Sequence, residues 1–166
     1  MLVTLHRPSN VDAADTLAPI LAGLGEIART LPVVTPLHPR TEKNINRLAL
    51  SHELSSLKVI PPASYLDMLG LTDSAAVVMT DSGGLQEETT VLGVPCVTLR
   101  AQTERPITLT SGTNRMAPWP LTATGLVDAF RNARDRGRTP VGSRAPKGWD
   151  GRAAARVADA LGTDSP

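Results

Sequence analysis

Aromatic side chains are nearly missing: two Trp, one Tyr and one Phe stand among 166 residues. The core must therefore be built from Leu, Val, Ile and Ala. Cysteine occurs once, at Cys96, which excludes a disulfide within these residues. Its setting, Val94-Pro95-Cys96-Val97-Thr98-Leu99, suggests a small buried residue and not a reactive thiol. Neither sign of charge is in excess: the formal net charge is +1, so nothing favours nucleic acid or an anionic membrane surface. The longest apolar run, Ala75 to Met79, is far too short to span a bilayer. No basic stretch followed by an apolar one opens the chain, so no secretory leader is expected. His6, His38 and His52 show no metal-ligand spacing, and no metal is expected. Walker A and Gly-x-Gly-x-x-Gly motifs are also lacking, which disfavours nucleoside-triphosphate hydrolysis and NAD binding. No cofactor is expected. These absences, with 41% apolar residues, point to a single cytoplasmic globular domain over residues 1–166.

What is present is an alternation of short β-like runs and helical periods. Leu2 to Leu5 reads as a strand. Leu17, Ile20, Leu21, Leu24, Ile27 and Leu31 then recur at helical spacing, on a helix starting near Asp12. Val33 to Leu37 is a second strand, and a helix follows from about Thr41 to Leu50. Leu57 to Ile60 is a third strand. Ser64 can cap a short helix through Leu71. Ala75 to Thr80, apolar almost throughout, is a buried strand of the parallel kind. Asp81-Ser82-Gly83-Gly84 turns into a helix that ends at Gly93, and Val94 to Leu99 is the next strand. Helices near Thr122–Arg136 and Gly151–Leu161 flank a long loop rich in Gly, Pro, Arg and Lys. The pattern predicts an α/β fold, a Rossmann-like parallel sheet with helices on both faces. Right-handed crossovers put the C-terminal strand ends on one edge, where ligands of such sheets bind.

The strongest local signal is Thr80-Asp81-Ser82-Gly83-Gly84-Leu85-Gln86-Glu87-Glu88. It follows a strand and opens a helix, whose free N–H groups and dipole favour an anion. Gly83 and Gly84 allow close approach of a phosphate, and Ser82 adds a hydroxyl. The same turn also occurs in α/β domains without a ligand. Glu88 lies one turn beyond Gly84 on the same helix face. A carboxylate there is too far on to repel the phosphate and can accept hydroxyl protons from a ribose. The pair suggests a nucleoside diphosphate. His6-Arg7, His38-Pro39-Arg40 and Thr103-Glu104-Arg105-Pro106 follow other strands, on the same predicted edge. Arginine suits a diphosphate because its fork meets two oxygens; taken singly, each Arg also reads as a surface cation and each His as a cap or packing residue.

At these residues the chain resembles the non-hydrolysing UDP-N-acetylglucosamine 2-epimerases. The matching stretches are Thr4-Leu5-His6-Arg7 with Asn10-Val11-Asp12, Pro36 to Thr41, Thr80 to Glu88, Leu99-Arg100 with Thr103-Glu104-Arg105-Pro106, and Gly112-Thr113-Asn114-Arg115. They follow the family's C-terminal domain and fade after about Leu126. The resemblance implies one half of a GT-B fold, with UDP in the cleft between two Rossmann-like domains. It also implies epimerisation at C2 between UDP-GlcNAc and UDP-ManNAc, by elimination of UDP and its re-addition. On this resemblance Ser82, Gly83 and Gly84 hold the diphosphate and Glu88 the ribose. His6 is the catalytic group that helps UDP depart. Arg7 and Arg40 are candidate phosphate contacts, and Arg105 orients the loop beside the site. The stretch from Pro62 to Met68, Ala63 and Met68 included, frames the uracil. His38 matches a position that contacts a second, activating UDP-GlcNAc.

Two departures from the family pattern carry consequences. The family has His-Arg-Arg-Glu where this chain reads His6-Arg7-Pro8-Ser9, and Pro8 stiffens the loop. The carboxylates that move the C2 proton belong to the family's N-terminal domain, which these residues do not match. The expectation is a domain that binds UDP but is inactive alone, completed by a separate N-terminal half or within a homodimer. Two other readings stay open: a nucleotide-sugar-binding module without chemistry, and the C-terminal domain of a GT-B glycosyltransferase.

Overall fold

The computed structural model describes residues 1–162. Six strands, β1 (Leu2–Thr4), β2 (Val34–Pro36), β3 (Lys58–Ile60), β4 (Val78–Thr80), β5 (Cys96–Thr98) and β6 (Asn114–Met116), form one sheet in the order β3-β2-β1-β4-β5-β6. Every pair is parallel. This is the doubly wound Rossmann order, and it confirms the expected fold class. The chain leaves β1 toward β2 on one side and returns through β4 to continue on the other. The crevice at the C-terminal ends of β1 and β4 is therefore the topological switch point, where such sheets take their ligands.

Helices cover both faces, and the strand alternation shows why. Val3, Met79 and Val97, in register across β1, β4 and β5, pack with Leu17, Leu21, Leu24 and Ile27 of α2 (Ala14–Ala28) and Leu126 and Phe130 of α7 (Ala123–Arg136). Leu2 and Val78 point the other way, onto Ala75 and Val94, with Met68 and Leu71 of α4 (Tyr65–Asp73) and Leu92 of α5 (Gly83–Leu92) packed against them. The aliphatic core expected from the shortage of aromatics is what forms, Phe130 being its one Phe. Cys96 is wholly buried, and burial pushes its thiol up to about 12, partly offset by a hydrogen bond from Thr89. No helix among the described residues is long and apolar enough to cross a membrane.

Several element boundaries differ from expectation. The stretch before α2 contains a one-turn helix, α1 (Pro8–Val11), with Pro8 at a position where its missing N–H costs nothing. The helix expected over Thr41–Leu50 is α3 (Pro39–Arg47), followed by a 3₁₀ helix over Ser51–Ser56. Ser64 does cap α4, accepting from Asp67 N, but α4 runs on to Asp73. Two further elements were not expected, α6 (Pro106–Thr110) and the edge strand β6. The last helix, α8, spans Ala153–Gly162.

Gly93 ends α5 in the left-handed region, φ 71°, and a Cβ there would lie 2.1 Å from Thr139 O. Its carbonyl accepts from Thr139 N at 2.9 Å, which pins the loop after α7 to the end of α5. Gly93→Ala is expected to lower the unfolding free energy by about 1–3 kcal/mol, the range for a strained backbone site. Urea denaturation checks it, and an unchanged midpoint would contradict it.

Candidate functional site

The site is organised by Asp81, the first residue after β4 and fully buried. Its carboxylate accepts from His6 N (3.0 Å to Oδ2), from Arg7 N (2.9 Å) and from Asn10 Nδ2 (3.1 Å). The His6 Nδ1 atom lies 2.7 Å from Asp81 Oδ1. One carboxylate thus gathers the loop after β1 and the start of α1. Asn10, also buried, donates its second amide hydrogen to Leu99 O at 2.8 Å, so the end of β5 joins the same knot. Burial raises the Asp81 pKa, but the His6 and Arg7 hydrogen bonds outweigh it, and the carboxyl sits below the usual range. An ionised Asp81 fixes the His6 tautomer: Nδ1 carries the hydrogen given to Asp81, and Nε2 is left for a ligand. Neither Asp81 nor Asn10 was singled out from the sequence as a site residue, although both lie within the quoted motifs. The available signal was an Asp directly after an apolar strand, a position that demands several donors.

Five expected residues, His6, Met68, Ser82, Gly84 and Glu88, line one cavity of about 270 Å³ together with Thr4, Tyr65 and Leu85. Ser82 precedes α5 without capping it, and the first turn of α5 carries no acidic side chain. A Cβ on Gly83 would meet nothing within 4 Å, so the helix end opens onto free space. Thr80 accepts from Ser82 N at 2.9 Å, and its hydroxyl lies 2.6 Å from that of Thr4, locking β1 to β4 beneath the turn. The Glu88 carboxylate has no hydrogen bond or ion pair among the described residues. Burial, and then the charge of Glu87, raise its pKa. A larger hollow of about 580 Å³, lined by Leu69, Val91 and Trp149, shares Tyr65 and Glu88 with the first.

Other expected residues stand elsewhere. Arg40 grips Asp12 through two nitrogens (2.9 and 2.6 Å), and the free fork expected of a phosphate contact is occupied. Arg7 donates Nε to Asp81 O at 3.4 Å and holds its guanidinium 3.9 Å from Glu104. Ala63 lines a separate hollow with Pro61, Pro62, Leu66 and Asp67. His38 caps α3, its Nδ1 accepting from Arg40 N at 3.1 Å, and its ring centroid stands 5.8 Å from that of His6. Arg105 Nε is 2.8 Å from Glu87 Oε1, an ion pair without hydrogen-bond alignment. Glu87 is thus the anchor of Arg105.

The Thr103-Glu104-Arg105-Pro106 loop is held residue by residue. Thr103 Oγ1 donates to Gln86 Oε1 at 2.5 Å and accepts from Arg105 N at 3.0 Å. Glu104 pairs with both terminal nitrogens of Arg100, which draws its carboxyl down to about 2. Pro106 opens α6. Buried Gln86 also accepts from Asn114 Nδ2 (3.1 Å), and Asn114 accepts from Thr98 Oγ1 (2.8 Å). The loop is thereby tied to α5, β5 and β6 at once.

The family profile for UDP-N-acetylglucosamine 2-epimerase matches residues 1–162. The chain belongs to this family. It is 43% identical over 121 residues to the UDP-N-acetylglucosamine 2-epimerase of Methanococcus maripaludis, covering 70% of this chain and 33% of that one. It is 46% identical over 115 residues to the UDP-2,3-diacetamido-2,3-dideoxy-D-glucuronate 2-epimerase of Pseudomonas aeruginosa, covering 69% and 32%. Among solved structures it is similar to the Methanocaldococcus jannaschii UDP-GlcNAc 2-epimerase in complex with UDP-GlcNAc and UDP, with a TM-score of 0.84 and 34% identity over 98% of this chain and 44% of that one. The chain thus spans about a third to a half of the relatives it matches.

Proposed function

We propose that this chain is the UDP-binding half of a 2-epimerase acting on a UDP-linked N-acetylhexosamine, and that the groups moving the C2 proton come from a second domain, in cis or in trans. The observation that carries this reading is the single cavity joining His6, Ser82, Gly84 and Glu88 at the switch point of the sheet. The open helix end suits a diphosphate. The unpaired Glu88 carboxylate, one turn further along α5, suits the two hydroxyls of a ribose. His6 Nε2, aligned through Asp81, is suited to hydrogen-bond the β-phosphate oxygen as the bond to the sugar breaks. Charge develops on that oxygen during elimination, so a donor placed there lowers the barrier more than it strengthens ground-state binding. Arg105 acts through Glu87 to set the loop and is not assigned to the phosphate. The closeness of His38 to His6 supports a role for His38 beside the same ligand, toward a second, activating nucleotide sugar.

Calorimetry with UDP tests the reading. The chain alone is expected to bind UDP and to turn over no UDP-GlcNAc. Glu88→Ala is expected to weaken UDP binding by about 1.5–3 kcal/mol, the range for hydrogen bonds to a charged group, and to weaken binding of 2′-deoxy-UDP less. Equal losses for both nucleotides would remove Glu88 from the ribose. The likeness to the glucuronate-named relative favours a second reading only for the sugar: both names share UDP and C2, so the hexosamine's other substituents are a matter for the half outside these residues.

A further inference from the structure

The edge of the sheet opposite the candidate site carries a second concave feature. Pro95, just before β5, and Gly112 and Thr113, just before β6, form its floor. Arg115, Arg136 and Arg144 surround it, with Gly137 and Thr139, around a volume of about 160 Å³. No carboxylate lines it. None of the three arginines is in an ion pair with a described carboxylate. Arg115 spends Nη1 on the carbonyls of Leu109 (3.1 Å) and Asn114 (2.5 Å), and Arg136 spends Nε on Asn132 O (3.1 Å). Arg144 has no hydrogen bond among the described residues. In a chain whose formal net charge is only +1, three uncompensated guanidinium groups around one hollow are a strong local excess.

We infer that this hollow is an anion site for a phosphate group, separate from the nucleotide cavity. The first support is charge. The C-terminal end of α7 offers Arg136 partial compensation, but a helix end carries only about half a charge, against three full ones. Arg115 registers the imbalance: burial lowers its pKa, and the charges of Arg136 and Arg144 lower it further. A bound dianion would reverse that repulsion. The second support is size. The hollow holds roughly five waters' worth of volume at about 30 Å³ each, and its 160 Å³ is well under the 270 Å³ of the candidate nucleotide cavity. A phosphate fits, and a nucleotide does not. Guanidinium forks meet tetrahedral phosphate oxygens in pairs, which selects phosphate over chloride.

The fold holds the arginines in place. Gly112 leaves no room for a side chain, since a Cβ would lie 2.4 Å from Thr90 Oγ1 and 2.5 Å from Thr108 O. Thr139 is fixed by its backbone bond to Gly93. Nitrogen-15 NMR titration of the whole chain with inorganic phosphate at constant ionic strength locates the site directly. Saturable shifts are expected at the amides of Gly112, Thr113, Gly137 and Thr139. Arg144→Gln, on an exposed loop where folding is not at stake, is expected to weaken them about ten- to a hundredfold, the equivalent of one charge-assisted contact. Glycerol phosphate is the second arm: tighter binding than inorganic phosphate assigns the site to a phosphate ester, weaker binding to the free ion. Shifts confined to Ser82–Leu85, shifts reproduced by sodium chloride, or affinity unchanged in Arg144→Gln would overturn the assignment. The outcome is independent of whether UDP binds.

Discussion

Replacing Asp81 with alanine is expected to cost about 3–5 kcal/mol of unfolding free energy, the scale for breaking a buried charged network. The side chain is fully buried. It accepts from two backbone N–H groups, the Asn10 amide and His6 Nδ1. Alanine leaves all of these donors facing a void, and each unsatisfied buried donor costs about 1–3 kcal/mol. Water entering the space recovers part of this, which keeps the total below the simple sum. Urea denaturation of both proteins at pH 7 measures the difference. A loss under about 1 kcal/mol would mean that Asp81 is not the organising group. The dependence on pH has a definite sign. The folded-state pKa of Asp81 lies below its ordinary value, so the unfolded chain takes up this proton first as pH falls. The stabilisation is complete above about pH 4, the ordinary aspartate value, and is lost as pH falls through the lower folded-state value. The gap between wild type and Asp81→Ala should therefore be constant from neutral pH down to about pH 5 and narrow below that. Widening on acidification would assign the effect to another group.

The legible parts of the molecule were those with repeated signals. The α2 stripe from Leu17 to Ile27 and the apolar run ending at Thr80 each carry several residues that agree with one another, and both elements formed near the expected positions. The glycine turn was legible because a strand, two glycines and a helix period meet there. The illegible parts are short or polar. α1 has four residues and α6 five, too few to show a period. β6 reads Asn-Arg-Met because it is an edge strand whose inward residue, Asn114, is held by hydrogen bonds and not by apolar burial. Site residues follow the same division. His6 and Glu88 could be placed because the elements carrying them were. The pairing of Arg40 with Asp12 was not legible because Asp12 lies far away in the chain and closes on it only when α1 and α3 pack. Pairings between distant charged residues leave no periodic trace, and the role of Asp81 as a common acceptor is of the same kind.

His6→Asn is expected to separate chemistry from binding in an enzyme completed by a family N-terminal domain: turnover should fall by about 10²–10⁴, the usual scale for a lost acid–base group, while UDP affinity changes by less than about tenfold, or 1.4 kcal/mol. The choice of asparagine follows from the geometry. Its amide nitrogen reaches roughly where His6 Nδ1 lies, so the bond to Asp81, 2.7 Å in the native protein, can be kept. The backbone bonds from His6 N and Arg7 N to Asp81 do not involve the ring at all. What disappears is Nε2, the one ring nitrogen that Asp81 leaves for a ligand. On the proposed reading, ground-state binding rests on the helix end at Gly83 and Gly84 and on Glu88, which the substitution does not touch. If His6 acts on the oxygen that gains charge as UDP departs, the loss falls on kcat and leaves binding nearly intact. His6→Gln is the complementary variant, since its longer amide reaches toward the Nε2 position but breaks the bond to Asp81. It should recover part of the phosphate contact and lose stability, the reverse of His6→Asn. Turnover and affinity falling together in His6→Asn, with unchanged stability, would make His6 a simple binding residue. A drop in stability comparable to that of Asp81→Ala would make it structural.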